Sequence, residues 1–326
     1  MFHPVRSTSC LAFLFLLTFV KSYSQTSIDD VHVAPRGVEL ASALPVARAV
    51  IRTSADLVLV PVTITDGFDR PVMGLDQDNF QLYEDKKRQQ IKHFSSEDTP
   101  VSIGLIVDMS GSMKDKLERT REAIQQFCEA SNPQDEFFMI TFSDAPRLAT
   151  DFTNHSGELE NDLLTSASKG RTSLLDAIYM GLRKMKDARY PRRALLILSD
   201  GGDNHSRYSE RDVRSAVKEA DVLLYAVGTY DQYVNTQEEL LGPELLRSIT
   251  EGTGGKAYAV TDVRILPAVT KAIGEQLRHQ YVLAYQPQTK PHNGKWYKIN
   301  VKLRLPKSLH AFLRVNARNG YYASSE

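Results

Sequence analysis

The stretch VSIGLIVDMSGS at residues 101–112 decides the fold. Its first seven residues form an almost unbroken apolar run, which is typical of a strand buried on both faces of a parallel sheet. Asp108 then stands at the carboxyl end of that strand, the place where ligands bind in open α/β sheets. Ser110 and Ser112 follow at two-residue spacing, and Gly111 between them allows a tight turn. The stretch therefore predicts one carboxylate and two hydroxyls aimed at one point.

Two later loops fit the same crevice. Thr172 lies in KGRTS at residues 169–173, just before a predicted helix, and Asp200 ends the apolar run LLILSD at residues 195–200. The five candidate ligands, Asp108, Ser110, Ser112, Thr172 and Asp200, offer only oxygen, without His or Cys. Hard oxygen donors favour Mg²⁺, Mn²⁺ or Ca²⁺ and disfavour Zn²⁺. A capping turn is the simpler interpretation of Ser112 alone, but three loops together favour a metal site.

Strands alternate with helices across residues 97–278, which predicts a Rossmann-like, doubly wound and mainly parallel sheet. We expect strands at residues 101–107, 136–142, 194–198, 222–227 and 256–260. We expect helices at residues 114–131, 174–185, 210–220, 245–250 and 265–277. This α/β domain is inserted between two β-rich flanks, at residues 55–96 and 279–326, whose apolar alternation predicts short antiparallel strands. The flanks are expected to pair into one β-sandwich, since two independent small sheets would be only marginally stable.

The N-terminus has the layout of a signal peptide. An apolar run at residues 10–20 is followed by small residues at Ser22 and Ser24, so we expect cleavage after Ser24 and export to the periplasm, the cell surface or the medium. An uncleaved anchor is the alternative, although the run is short for a span of roughly 20 residues. Residues 25–54 are expected to be a flexible lead-in. Cleavage leaves one cysteine, Cys128, which is best explained as a buried apolar residue.

Charge argues against a nucleic-acid partner. The chain has 40 basic and 40 acidic residues, and loss of the predicted leader removes two basic ones, for a net charge of −2. One basic cluster follows a predicted helix and is interpreted as a solvated face: Arg183, Lys184, Lys186, Arg189, Arg192 and Arg193. No stable membrane span is expected after cleavage.

The motifs DMSGS (108–112), GRTSLLDAI (170–178) and LLILSDGGDN (195–204) resemble the von Willebrand factor type A (VWFA) domain and its metal-ion-dependent adhesion site, over about residues 97–278. The resemblance implies that Asp108, Ser110, Ser112, Thr172 and Asp200 hold a divalent metal, and that a partner protein's Asp or Glu completes the coordination. The flanking stretches at residues 58–95 and 279–322 are similar to the VWFA-related family of exported bacterial proteins.

These features predict an exported, non-enzymatic protein that binds a partner through a metal, as in cell adhesion. One alternative is a structural or scaffold protein whose metal only stabilises the loops. A weaker alternative is a metal-dependent hydrolase, which would need a base near the metal. The sequence has no H-E-x-x-H and no G-x-S-x-G motif that would indicate a hydrolase.

Overall fold

The structure is a computed structural model that describes residues 57–165, 168–230, 237–287, 294–306 and 312–323. The predicted signal peptide (1–24) and lead-in (25–54) lie outside these ranges. Within them, no helix is long and apolar enough to cross a membrane.

The chain forms fourteen strands and six α-helices within these ranges. The first flank contains β1 (Val58–Thr65), β2 (Phe80–Glu84), β3 (Lys87–Gln89) and β4 (Ile91–Ser95). The α/β region contains β5 (Ser102–Asp108), α1 (Leu117–Ala130), β6 (Glu136–Phe142), β7 (Pro146–Thr153), α2 (Ser156–Thr165), α3 (Leu174–Lys184), β8 (Arg193–Ser199), α4 (Glu210–Ala220), β9 (Leu223–Thr229), α5 (Gln237–Thr250), β10 (Ala257–Val260) and α6 (Leu266–Arg278). The second flank contains β11 (Tyr281–Tyr285), β12 (Trp296–Leu303), β13 (Arg314–Ala317) and β14 (Gly320–Tyr322). Short 3₁₀ helices lie at Gln77–Asn79, Gly111–Lys116, Met185–Asp187 and Val263–Ile265.

A six-stranded sheet forms the centre of the α/β region, in the order β10-β9-β8-β5-β6-β7. Every pair in it is parallel except β6 with β7. The sheet is covered on both faces, by α1, α2 and α6 on one side and by α3, α4 and α5 on the other. All seven residues of β5 are therefore buried, as the apolar run at 101–107 predicted.

Close packing against β5 explains why it has a glycine at position 104. A Cβ on Gly104 would come within 2.3 Å of the Phe138 ring and 2.4 Å of the Leu195 side chain. Gly104 thus lets the neighbouring strands fill the face that carries α3, α4 and α5.

The two flanks pair with each other in two antiparallel sheets. One has the order β13-β1-β11-β4 and the other β14-β12-β2-β3, so each sheet mixes strands from both flanks. Their apolar faces share one core, which includes Val62, Phe80, Leu82, Tyr281 and Ile299. The predicted fold class, a mainly parallel sheet with flanking antiparallel sheets, is confirmed.

Several local predictions need correction. β7 and α2 were not predicted. β7 is a half-buried edge strand that begins at Pro146 and shows little apolar periodicity. The helix predicted at 114–131 begins as a 3₁₀ turn at Gly111 and becomes α-helical at Leu117.

The basic cluster is not uniformly solvated. Arg183 and Arg189 are exposed, but only 7% of Arg192 is exposed. The Arg192 guanidinium donates to the Thr99 carbonyl, the Leu277 carbonyl and the Gln280 side chain. Because these acceptors lie where the chain passes between the sandwich and the α/β region, Arg192 has a structural role.

Candidate functional site

Asp108 ends β5 and is completely buried. Its Oδ1 accepts a hydrogen bond from the Ser110 backbone N–H at 2.8 Å, and its Oδ2 accepts one from the Ser199 hydroxyl at 2.6 Å. Burial, together with the nearby Asp200 carboxylate, raises the pKa of Asp108 to about 6. Neither acid forms an ion pair with any residue in the described ranges. The carboxyl end of the sheet therefore brings two acids near each other, and no cation in the part of the chain that the structure describes forms an ion pair with them.

Ser110 and Ser112 lie beside Asp108 in the turn that follows β5. Their hydroxyl oxygens are 3.0 Å apart. Ser110 is the N-cap of the 3₁₀ helix at Gly111–Lys116, yet its side chain makes no capping hydrogen bond. The capping interpretation, which assigned that role to Ser112, is therefore wrong for this turn. A pair of hydroxyls that share one hydrogen bond still has oxygen lone pairs to offer a ligand.

Thr172 lies in the second loop and is 5% exposed. Its backbone N–H donates to the Asn204 side chain at 3.0 Å, and its carbonyl accepts from the N–H groups of Asn204 and His205. Its hydroxyl makes no hydrogen bond to any residue that the structure describes. The backbone of Thr172 is thus held on both sides, and its side-chain oxygen is left uncommitted.

Hydrogen bonds fasten the first two loops together. The Gly111 N–H donates to the Gly170 carbonyl at 3.2 Å, and the Lys169 N–H donates to the Met109 carbonyl at 2.9 Å. Gly170 has a φ of +88°, and a Cβ there would come within 2.7 Å of the Asp144 carboxylate. Asp144 in turn accepts from the Arg171 N–H at 2.9 Å. Glycine at 170 thus meets both a backbone and a packing requirement.

Asp200 follows β8 and is 4% exposed. Its Oδ1 accepts from the Gly202 N–H at 3.2 Å. Gly201 has a φ of +80°, and a Cβ there would come within 2.8 Å of the backbone of Gly242 in α5. The close approach of these two glycines fixes the third loop against α5, next to the first two loops.

Sequence reasoning missed the supporting residues. Ser199 holds Asp108, Asn204 holds Thr172, and Asp176 in α3 accepts hydrogen bonds from the backbone of Arg207 and Tyr208. Ser199 and Asn204 lie next to or near Asp200 in the sequence, but only the fold shows which loop each contacts. Asn204, in the turn after Asp200, thereby braces the second loop.

The donor set suits a hard divalent cation. Two carboxylates and three hydroxyls are oxygen ligands of the kind that Mg²⁺, Mn²⁺ and Ca²⁺ accept. No group of three or more His, Cys, Asp or Glu side chains that could hold a metal occurs in the ranges described. Any metal at this end of the sheet would thus depend on hydroxyl oxygens as well as on the two acids.

Comparison with known proteins supports the fold. Residues 103–202 match the model of the von Willebrand factor type A domain family. Inter-alpha-trypsin inhibitor heavy chain H4 from Homo sapiens is 26% identical over 134 residues, which is 37% of this chain and 14% of that protein. The Bos taurus heavy chain H4 is 25% identical over 135 residues, or 36% of this chain and 15% of that protein. The chain thus matches only a small part of the length of these relatives.

Solved structures also align with parts of this chain. A von Willebrand factor type A structure from Catenulispora acidiphila aligns with a TM-score of 0.48 and 11% identity, covering 84% of this chain and 75% of that one. The PilB minor pilin from Streptococcus sanguinis aligns with a TM-score of 0.45 and 14% identity, covering 57% and 63%. The family match places a von Willebrand factor type A domain at residues 103–202, the part of the chain that contains the strand and loops described above.

Proposed function

We propose that this protein binds a partner protein through a divalent metal held by Asp108, Ser110, Ser112, Thr172 and Asp200. Domains of the von Willebrand factor type A family mediate protein interactions and are generally not enzymes. The observation that carries the proposal is the unneutralised pair of acids, Asp108 and Asp200, beside hydroxyls that cap no helix.

The electrostatics of the loops favours a cation. Burying a carboxylate beside a second one is costly unless an opposite charge compensates. No such charge pairs with Asp108 or Asp200 among the residues that the structure describes. A divalent cation would supply it, and would act there as a point of attraction for a further oxygen ligand. The hydroxyls of Ser110 and Thr172 would add neutral oxygen donors, which extend the coordination of the ion without adding charge.

An open coordination position favours an oxygen ligand from a partner. Mg²⁺ takes six ligands, so the five side chains would leave one position for a Glu or Asp side chain of another protein. Ser112, the exposed member of the set, lies at the accessible side. We propose that this contact takes place outside the cytoplasm, because the layout of residues 1–24 is that of a signal peptide. A metal that serves only to stabilise the loops is the competing hypothesis.

The first test measures the metal itself. Calorimetric titration of the full chain with Mg²⁺, Mn²⁺ and Ca²⁺ is expected to show one saturable site that Asp108→Ala abolishes. The matched control is Asp115→Ala, which removes an exposed acid from the adjacent 3₁₀ turn and is expected to leave metal binding unchanged. Absence of any saturable site in the wild type would refute the proposal.

The second test measures the partner. Exported proteins captured on the wild-type chain with Mg²⁺ are compared with those captured after chelation and on Asp108→Ala. Partner binding that persists both after chelation and in Asp108→Ala would contradict metal-dependent partner binding. A metal that raises the unfolding temperature strongly while no partner depends on it would favour the structural role instead.

A further inference from the structure

A cavity lies near the amino end of the central sheet, opposite the candidate metal site, between α4, α5 and the sandwich. Its volume is about 410 Å³, a size typical of small-molecule sites. It is lined by the first residue of β8, Arg193, by the ends of α4 and α5, and by the start of β12 at Trp296. None of the five candidate metal ligands lines it.

Arg193 is the feature of this cavity that needs an explanation. Its Nε is buried without a hydrogen-bond partner, and its guanidinium forms no ion pair or hydrogen bond with any residue in the described ranges. Buried polar groups are nearly always partnered, so such a group calls for an unseen acceptor. Arg192, its neighbour in sequence, also has a buried Nε without a partner, but its two terminal nitrogens donate to backbone and side-chain acceptors.

Arg318 adds a second donor to the same cavity. It is 8% exposed and pairs with Asp221 through Nη1, while its Nε is buried without a partner. Two arginine side chains thus line one cavity, and the guanidinium of Arg193 has no acceptor among the residues described. A planar anion such as a carboxylate matches the fork of a guanidinium.

The other lining residues indicate the polarity and the charge of a ligand that would fit this cavity. Trp296 packs over Gly320, where a Cβ would come within 2.4 Å of the indole, and its ring lies 4.9 Å from that of Tyr322. Leu57 and Leu59 add apolar surface and are 42% and 38% exposed. Three acids also line the cavity, Glu219, Asp221 and Glu251. Four basic residues line it as well: Arg193, Arg214, Lys218 and Arg318. Four positive and three negative charges leave a net charge of +1, so the lining favours a single negative charge on an apolar body.

We propose that this cavity binds a monocarboxylate with an aromatic or aliphatic body, the carboxylate pairing with Arg193 and the body packing against Trp296. The ligand is either a free organic acid or the C-terminal carboxylate of a peptide with an apolar last residue. The proposal does not depend on metal binding at Asp108.

The protein carries its own reporter for this test, because Trp296 is its only tryptophan. The full chain, kept in chelator so that no carboxylate binds through a metal, is titrated with 3-phenylpropionate while tryptophan fluorescence is followed. A saturable change is expected, with a dissociation constant on the order of 1 mM for so small a probe. The neutral 3-phenylpropionamide is expected to bind at least about tenfold more weakly. Inorganic phosphate is expected to have no effect at the same concentrations.

Variants tie the signal to the guanidinium. Arg193→Met is expected to weaken 3-phenylpropionate about tenfold or more, while Arg214→Met, at the same cavity but already paired with Glu210, is expected to change it less than about twofold. Leu57→Glu leaves Arg193 in place and adds a negative charge at an exposed site, so it guards against misfolding of the first variant. It is expected to weaken binding about fivefold.

The results distinguish a free organic acid from a peptide C-terminus, and both from a refutation of the proposal. Tighter binding of an acetylated dipeptide that ends in a free phenylalanine carboxylate would identify a peptide terminus, and its exclusion would identify a free acid. Equal binding of acid and amide, or equal binding by wild type and both the Arg193→Met and Leu57→Glu variants, would overturn the proposal. A wild-type chain whose fluorescence does not respond to 3-phenylpropionate would overturn it as well.

Discussion

The two ends of the central sheet bury opposite charges in opposite ways. At the amino end, Arg192 is 7% exposed and donates to the Thr99 and Leu277 carbonyls and to the Gln280 side chain. At the carboxyl end, Asp108 is fully buried, accepts two hydrogen bonds and faces the like charge of Asp200. Arg192 is partnered by its own chain, whereas Asp108 forms no ion pair with any residue that the structure describes.

The difference separates a structural charge from a candidate functional one. The acceptors of Arg192 come from the two chain crossings between the sandwich and the α/β region, and Gln280 reaches on to Thr63 in β1 at 3.1 Å. Arg192 therefore holds the two parts together. Asp108 joins nothing of that kind, and its burial beside Asp200 opposes folding unless a cation is present. The two ends should respond differently to the loss of their charge.

The largest effect is expected from Arg192→Met. Removal of the guanidinium leaves buried carbonyls without a donor, which should lower the free energy of unfolding by about 3–5 kcal/mol. Urea denaturation of the metal-free chain measures it. Arg183→Met, an exposed arginine of the same basic cluster, is the control and should change stability by less than about 0.5 kcal/mol. A loss at Arg192 as small as at Arg183 would remove the structural role assigned to it.

Asp108→Asn should have the opposite signature. The substitution removes a buried charge and its repulsion with Asp200, so the metal-free stability should stay level or rise by about 1 kcal/mol. The stabilisation by Mg²⁺, about 2.7 kcal/mol at one hundred times the dissociation constant, should disappear. Thermal unfolding with and without Mg²⁺ measures both quantities. If the metal-free variant is destabilised as much as Arg192→Met, the contrast between the two ends is wrong.

A matched pair of buried serines refines the contrast. Ser199 donates to the Asp108 carboxylate, whereas Ser102, at the other end of β5, donates to Glu136 at 2.6 Å. Each change to Ala should cost about 1 kcal/mol of stability. Only Ser199→Ala should also weaken Mg²⁺ binding, by about tenfold, because the Asp108 carboxylate then loses the hydrogen bond that orients it. Titration calorimetry on both variants checks this, and equal metal affinities would deny Ser199 its positioning role.

The sequence could predict the first loop because its ligands are close together. Asp108, Ser110 and Ser112 are spaced along one turn, and the apolar run before them identifies a buried strand. The same local logic predicted the parallel sheet and the apolar faces of the flanks. Element ends shifted by a few residues where 3₁₀ turns replaced α-helix, as at Gly111–Lys116.

The supporting shell could not be predicted in that way. Asn204 holds Thr172 from 32 positions away, and Ser199 reaches across 91 positions to Asp108. Such contacts depend on strand order, which apolar periodicity does not specify. The burial of Arg192 could not be predicted for the same reason, since nothing in its local sequence distinguishes it from the exposed Arg189. Edge strand β7 was missed because half-buried strands carry a weak period-2 signal.

The smallest effect concerns the brace between the second and third loops. Asp176 lies in the first turn of α3, and its buried carboxylate accepts from the N–H groups of Arg207 and Tyr208 and from the Arg207 guanidinium at 3.1 Å. Burial works to raise the pKa of Asp176, but the hydrogen bonds from Tyr208 and Arg207 outweigh it and hold that pKa below its usual value.

Because its folded pKa is depressed, Asp176 stabilises the protein fully above the unfolded value of about 3.9 and loses that contribution as the pH falls through the folded pKa. Asp176→Asn should therefore cost about 1 kcal/mol at neutral pH, and the gap between variant and wild type should close in acid. Denaturation at a series of pH values measures it, with the exposed Asp187→Asn as control. A gap that stays constant into acid would mean that the Asp176 charge does not hold the third loop. The difference between the two ends of the central sheet would then be supported by Asp108 and Arg192 alone.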